Sequence, residues 1–202
     1  MPETDFDRRM AAAPYAAIWD LTWPQVAMMM CHFLIGFADV WVAGRIDRET
    51  QACMGVMSQA LFFFMVVAVA LANGSVAAIS QSSGAGLPGR IKRFVGLSMG
   101  LGVITSFIIF AVGLSFDHVF LRLLKIPAEV MPVAAYLLQI SLYLMPAYYL
   151  FTISNAFFRA QKSVTVPLYS MVLVTIVNTA GDLGLGLGMW GLPDLGYKGI
   201  AW

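Results

Sequence analysis

Five long apolar runs constrain this chain more than any other feature of its 202 residues. They extend approximately over residues 18–44, 52–80, 94–116, 130–158 and 164–192, and a sixth begins near residue 198. Each run exceeds the roughly 20 apolar residues that a helix needs to cross a bilayer. None alternates apolar and polar residues, as the strands of a membrane barrel do. The runs therefore predict an all-α integral membrane protein, a polytopic bundle of five transmembrane helices plus the start of a sixth.

The composition agrees with lipid as the main solvent. The chain is 60% hydrophobic and only 11% charged, whereas soluble domains carry roughly 25% charged residues. Its 12 scattered Lys and Arg residues do not form the concentrated basic face that nucleic-acid binding requires. No nucleophile–base constellation, metal cluster or phosphate loop is present. We therefore expect the bilayer as a partner, and no nucleic acid, organic cofactor or enzymatic activity.

Basic residues between the runs predict the orientation. Seven would lie on the side of the N-terminus and five on the opposite side. The first group is Arg8, Arg9, Arg90, Lys92, Arg93, Arg159 and Lys162, and the second is Arg45, Arg48, Arg122, Lys125 and Lys198. Because cytoplasmic loops carry an excess of Lys and Arg, this bias favours a cytoplasmic N-terminus in an inner or plasma membrane.

Three acidic residues interrupt the apolar runs: Asp20 near the start of the first run, Asp39 further along it, and Asp182 in the fifth. An ionisable group in the membrane interior costs at least a few kcal/mol, so Asp39 in the first run and Asp182 in the fifth need partners. The two runs cross the membrane in the same direction. Asp39 precedes Gly44 by five residues and Asp182 precedes Trp190 by eight, which puts both about 8 to 12 Å below one surface. The two carboxylates are predicted to share an ion-coupling site, although each could instead only hydrogen-bond a neighbouring helix.

Other polar residues share helical faces with these acids. Asn178 lies four residues before Asp182, and Thr175 lies three residues earlier. Gln25 and His32 precede Asp39 at intervals of seven and predict a polar stripe along the first helix.

Four further residues are functional candidates. Pro24 removes a helical hydrogen bond and predicts a hinge in the first helix. Gln59, Tyr136 and Asn155 are candidates for substrate contact, because each is a polar residue in an apolar run. On this interpretation, the intramembrane part of the chain contains acids and no Lys or Arg.

Several segments together resemble the multidrug and toxic compound extrusion (MATE) antiporters, in the family's order and spacing along nearly the whole chain. They are Pro24, 37–44 (FADVWVAG), 80–85 (SQSSGA), 135–137 (AYL), Pro146, 158–161 (FRAQ), 177–182 (VNTAGD) and 196–201 (GYKGIA). Each segment alone is weak, whereas the set in register is specific. The loop after Arg159 lacks the glycine that is usual there.

The resemblance implies two six-helix lobes, of which residues 1–202 would form most of the N-terminal one. It implies export of small organic cations by alternating access in exchange for H⁺ or Na⁺, with a second lobe or another chain needed for transport. By position, Asp39 would be the cation-coupling carboxylate, Asp182 and Asn178 would complete its site, including any Na⁺ site, and Pro24 would be the bend that follows protonation of Asp39.

Two alternatives stay open. One is a flippase for lipid-linked sugars with a related lobe, which would need a wide cationic cavity for pyrophosphate. The other is a non-transporting product, either truncated or a subunit of an assembly. The apparent lack of intramembrane Lys and Arg disfavours the flippase.

Overall fold

A computed structural model of the chain describes residues 11–200. Arg8 and Arg9, used above for the orientation, lie outside the described residues, as do residues 201 and 202 of the predicted sixth span. The helices are α1 (Pro14–Ile46), α2 (Arg48–Gly84), α3 (Pro88–Ser115), α4 (Asp117–Leu123), α5 (Met131–Ala160), α6 (Thr165–Gly181), a π-helix (Asp182–Gly186), a short 3₁₀ turn (Met189–Gly191) and α7 (Tyr197–Ile200).

In the described part of the chain, five segments are long and apolar enough to cross a membrane, namely α1, α2, α3, α5, and α6 continued by the π-helix. Within residues 11–200 there is no β-strand. Both observations confirm the predicted fold class. The longest helix, α2, has 37 residues and a length of about 55 Å, against about 30 Å for the hydrocarbon core. It must therefore tilt or project beyond the apolar layer.

The first four spans begin and end within six residues of the predicted bounds, but the fifth was predicted too long. Its helical course ends at Gly186 rather than at residue 192. Gly188 then adopts a positive φ of 64°, which glycine tolerates without steric cost. The chain turns back so that the Leu195 N–H donates to the Leu185 carbonyl over 2.8 Å. The apolar run continues through this turn, which is why hydropathy alone did not show the break.

The helix ends have local causes in the sequence. Asp47 separates α1 from α2 and accepts the Thr50 N–H over 2.5 Å, which satisfies a free donor of the first turn of α2. At the end of α5, Lys162 takes a left-handed φ of 61° and the Ser163 N–H donates to the Phe158 carbonyl over 2.9 Å. This is the helix-ending conformation that glycine usually occupies. Lys162 therefore occupies the position of the glycine that the sequence lacks.

The main core lies among α2, α3 and α5. Its centre consists of Met57, Leu138, Leu142 and Tyr149, all at most 2% exposed. The Tyr149 hydroxyl donates to the Phe64 carbonyl of α2 over 2.8 Å, so that its polar atom has a partner away from water. This bond fixes α5 against α2.

A second, smaller cluster joins α1 to the end of the chain. Val42 and Ala43 of α1 are fully buried and form a cluster with Ile200 of α7, supported by Leu183 and Leu187. α1 also lies along α6, while α5 and α6 contact each other much less. The molecule therefore consists of a three-helix core with the α1–α6 pair beside it, and α2 bridges the two parts.

The short helix α4 lies outside the spans and is held by Asp117. This carboxylate is 7% exposed and accepts the Gln139 side-chain N–H of α5 over 3.0 Å and the His118 backbone N–H over 2.6 Å. The bond from Gln139 is the main reason that the pKa of Asp117 lies below its ordinary value, and the bond from His118 lowers it further.

The stability that Asp117 supplies should depend on pH. Since its pKa is lowered by folding, the contribution is complete above the unfolded pKa and disappears as the pH falls through the folded one. We expect Asp117→Asn to cost about 1 kcal/mol of unfolding free energy at pH 6 and less at pH 3. Denaturant unfolding at pH 6 and pH 3 measures this difference.

The exposed acid Glu129, in the loop that follows α4, offers a matched control. Glu129→Gln should leave the unfolding free energy nearly unchanged at both pH values. A deficit in Asp117→Asn that is equally large at pH 6 and pH 3 would contradict the role given to the carboxylate.

Candidate functional site

Asp39 and Asp182 come together between α1 and the start of the π-helix. The Asp39 carboxyl lies within hydrogen-bonding range of the side chains of Asp182 and Asn178. Asp182 is 2% exposed, while Asp39 and Asn178 are half-buried. The structure thus assembles two acids and one amide from two helices at one level of the bundle.

Three oxygen atoms of this acidic site have no hydrogen-bond partner within residues 11–200. They are Oδ1 of Asp39, Oδ1 of Asn178 and Oδ2 of Asp182, and all three are buried. Buried polar atoms without partners are rare and cost about 1–3 kcal/mol each. Carboxylate and amide oxygens accept hydrogen bonds and are the donor atoms that hard cations prefer. The site can therefore hold a proton shared between the carboxyls or a small cation among the three oxygens.

No group of three or more His, Cys, Asp and Glu side chains that could hold a metal ion occurs in the described part of the chain. The acidic site has two carboxylates and an amide, so it does not offer the larger acidic set typical of a dedicated divalent-cation cage. Its donors fit a monovalent cation better than Ca²⁺ or Mg²⁺.

Close packing fixes the position of Asp182. The π-helix begins at this residue. π-Helical turns are rare in proteins overall, and those that occur are often found at functional sites. Gly199 of α7 lies directly against the Leu185 carbonyl and the Gly186 nitrogen of the π-helix, closer than any side chain would allow. Gly186 itself lies near Val42 of α1 and Ile200 of α7. The glycines therefore let α1 and α7 enclose the segment that carries Asp182.

A separate cavity of about 440 Å³ lies between α1, α2, α5 and α6. Gln25, His32, Asn155 and Arg159 supply polar groups to its wall. Asp39 is not among its lining residues and lies about 10 Å along α1 from His32. The polar stripe predicted along α1 is thus divided, because Gln25 and His32 face the cavity while Asp39 faces the acidic site.

The remaining candidate residues lie elsewhere. Thr175 donates its hydroxyl to the Met171 carbonyl of its own helix over 2.8 Å. Gln59 lines a different pocket beside Leu124. Tyr136 stacks edge-on with Tyr197 at 5.8 Å between ring centroids and carries the Lys198 ammonium over its ring. Of the three candidates for substrate contact, Gln59, Tyr136 and Asn155, the last lines the 440 Å³ cavity.

Pro24 is buried inside α1, which continues as one helix on both sides of it. It lies at the level of the cavity, next to the lining residue Gln25. The missing N–H makes this the weakest point of the hydrogen-bond ladder in α1.

Sequence reasoning missed Arg159. The sequence places this residue in the loop after residue 158 and predicts an intramembrane part without Lys or Arg. Instead, α5 continues to Ala160, so Arg159 occupies the last turn of a spanning helix and lines the cavity. The signal was available, because no Gly or Pro interrupts the chain between Pro146 and the residue after Arg159. One basic side chain therefore reaches the cavity from the end of a spanning helix.

Comparison with known proteins identifies the family. The MatE family profile matches residues 24–183, most of the chain. The chain belongs to the MatE family. This confirms the resemblance to MATE proteins, and, since these proteins are transporters, it also confirms the prediction that the chain is not an enzyme.

Two curated relatives illustrate the match. The probable multidrug resistance protein YoeA of Bacillus subtilis (strain 168) is 31% identical over 70% of this chain and 31% of its own length. The probable multidrug resistance protein NorM of a Synechocystis species is 24% identical over 88% of this chain and 38% of its own length. The chain thus spans about a third to two-fifths of the relatives that it matches.

Solved structures show the same fold. A multidrug resistance MATE family transporter of the MOP superfamily, in an outward-facing conformation, superposes with a TM-score of 0.87 at 19% identity, over 100% of this chain and 44% of that chain. A MATE protein in a bent conformation superposes with a TM-score of 0.86 at 20% identity, over 98% of this chain and 43% of that chain.

The contact of Gly199 with the π-helix should be essential for the site. In Gly199→Ala the new methyl group meets backbone atoms of Leu185 that cannot move aside, so we expect a loss of about 1–3 kcal/mol of unfolding free energy. Gly181→Ala, next to Asp182, has open space and should be neutral or stabilising by up to about 1 kcal/mol. Thermal unfolding in detergent compares the two variants, and equal stability of both would refute the packing argument.

Proposed function

We propose that this chain forms most of one lobe of a cation-coupled exporter of small organic cations, and that Asp39, Asp182 and Asn178 hold the coupling ion. The observation that carries this proposal is the set of three buried, unpartnered oxygens on these side chains. Membership of the MatE family and the multidrug resistance names of the relatives support the export of drugs or toxins. The transport itself needs a second lobe or another chain.

Electrostatics supply the coupling. With no ion bound, two carboxylates in a poorly solvated bundle repel each other, and neither can be fully hydrated. A proton or a Na⁺ bound between them removes this repulsion and draws α1 toward α6. Ion binding therefore favours one arrangement of α1 over another. If each arrangement also binds the organic cation differently, the two ligands are linked by thermodynamic necessity.

Pro24 is the proposed hinge for this movement. Asp39 lies 15 residues after it, so a small bend at Pro24 displaces the carboxylate relative to Asp182. Two related solved structures are described as MATE in the bent conformation and MATE in the straight conformation.

We also propose that the protein resides in the inner or plasma membrane with a cytoplasmic N-terminus. Without Arg8 and Arg9, the basic residues divide equally between the two sides, five against five. The proposed orientation thus rests on these two residues of the N-terminal segment.

Transport measurements test the ion site. In the full-length protein, Asp39→Asn should reduce ion-gradient-driven export of ethidium from vesicles to background, because the amide has no proton to release and no negative charge to balance a bound cation. Asp194→Asn replaces an exposed acid outside the spans and should leave export unchanged. Export that survives in Asp39→Asn would contradict the assignment.

A second substitution separates the two coupling ions. Asn178→Leu removes a neutral oxygen ligand but leaves both carboxyls. It should abolish export driven by a Na⁺ gradient and spare export driven by a proton gradient.

A further inference from the structure

The cavity between α1, α2, α5 and α6 differs in charge from the acidic site. Its lining includes one guanidinium, that of Arg159, and no Asp or Glu among the described residues. His32, Gln25 and Asn155 add polar groups, while Met28, Met29 and Phe151 form much of its apolar wall. An organic cation entering this cavity would therefore meet a positive charge, with no acid among the described residues that line it.

Arg159 is incompletely satisfied. Its Nε is buried and has no hydrogen-bond partner within residues 11–200. A buried donor on a charged group costs more to leave unpaired than a neutral one. The usual alternative for an arginine at a helix end is to extend its charge to the membrane surface. That explanation does not account for Nε, which is enclosed by protein.

A second pocket of about 280 Å³ adjoins the same side chains. Arg159 and Gln25 line both this pocket and the larger cavity, and Lys162 and Asn73 complete the polar part of the smaller one. The two spaces thus meet at Arg159, with a second cation nearby. Basic and amide donors concentrate at this end, while the Met and Phe side chains extend along α1 and α5.

We propose that this cavity binds an amphiphile with a phosphate group, its phosphate at Arg159 and its alkyl part against Met28, Met29 and Phe151. The planar guanidinium matches two phosphate oxygens at once. The side-chain amide of Asn155 adds donors beside it, whereas the Gln25 side-chain N–H donates to the Leu21 carbonyl of its own helix over 3.1 Å. The volume falls within the range of small-molecule pockets, which combine apolar walls with a few placed polar groups. The ligand is either a bilayer phospholipid or a water-soluble alkyl phosphate.

This inference is independent of the proposed ion site. It depends on Arg159 and on the absence of acids in the lining, not on Asp39 or Asp182. The test measures binding without any transport, so its failure leaves the export proposal standing, and failure of the export proposal leaves it unaffected.

The test measures the affinity of octyl phosphate for the chain in lipid nanodiscs by calorimetry. Arg159→Gln should weaken this affinity by at least about tenfold, as expected for loss of one or two charge-assisted bonds. Arg93→Gln removes an exposed cation from the same end of the bundle and outside the cavity, and should change the affinity by less than about twofold. Octyltrimethylammonium should bind much more weakly than octyl phosphate.

A second variant guards against misfolding. Arg159→Lys retains the positive charge but not the planar guanidinium that can bind two phosphate oxygens. It should therefore fold as the parent does and bind octyl phosphate with intermediate affinity. Equal octyl phosphate affinity in the parent and Arg159→Gln would overturn the proposal, as would equal binding of octyltrimethylammonium.

Vesicles of defined composition distinguish a bilayer phospholipid from a water-soluble alkyl phosphate as the ligand. In vesicles that contain dioleoyl phosphatidic acid and dioleoyl phosphatidylcholine, native mass spectrometry should find phosphatidic acid retained by the parent and lost in Arg159→Gln if the bilayer supplies the ligand. Binding of octyl phosphate without retention of phosphatidic acid supports a soluble amphiphile. Binding of neither overturns the proposal.

Discussion

The rest of this structure depends on two carboxylates that are held next to each other inside an apolar bundle. Asp39 and Asp182 cannot both keep their charge and lose water without a third partner, and Asn178 supplies only part of what they need. Around them the packing is close: Gly199 lies against the backbone of the π-helix, and the side chain of Val42 is fully buried. The packing holds the two acids in place, and their unsatisfied oxygens make the site dependent on a proton or a cation from outside.

The polar groups of the molecule are divided between two levels. The acids lie toward the C-terminal half of α1, and the cavity with Arg159 lies beside its N-terminal half. α1 contributes residues to both, and Pro24 interrupts its hydrogen-bond ladder at the level of the cavity. Any bending of α1 would therefore change the cavity and the acidic site together. The separation of opposite charges also means that a ligand at either site is selected by different chemistry.

The helices and the family could be predicted from the sequence because long apolar runs and the order of motifs can be recognised without knowing how the side chains pack. It paired Asp39 with Asp182 through depth and direction, which helix geometry supplies. It could not decide which way Gln59 or Tyr136 points, because in nearly uniform apolar helices the hydrophobic pattern does not distinguish protein-facing from lipid-facing sides. The π-helix could not be predicted either, since it depends on the fit of Gly199 against Leu185 and Gly186 and on the contact of Gly186 with the distant Val42. Arg159 was missed because a charge was taken to mark a loop.

Carbon-13 NMR of aspartate carboxyls, recorded over a pH series on the chain in nanodiscs, tests most directly whether Asp39 and Asp182 act as one unit. If they do, the titration of Asp39 in the Asp182→Asn variant should move by about one pH unit or more relative to the parent, as expected for strongly interacting groups. Identical Asp39 titration curves in the two proteins would show that the carboxyls do not interact, and would contradict the account.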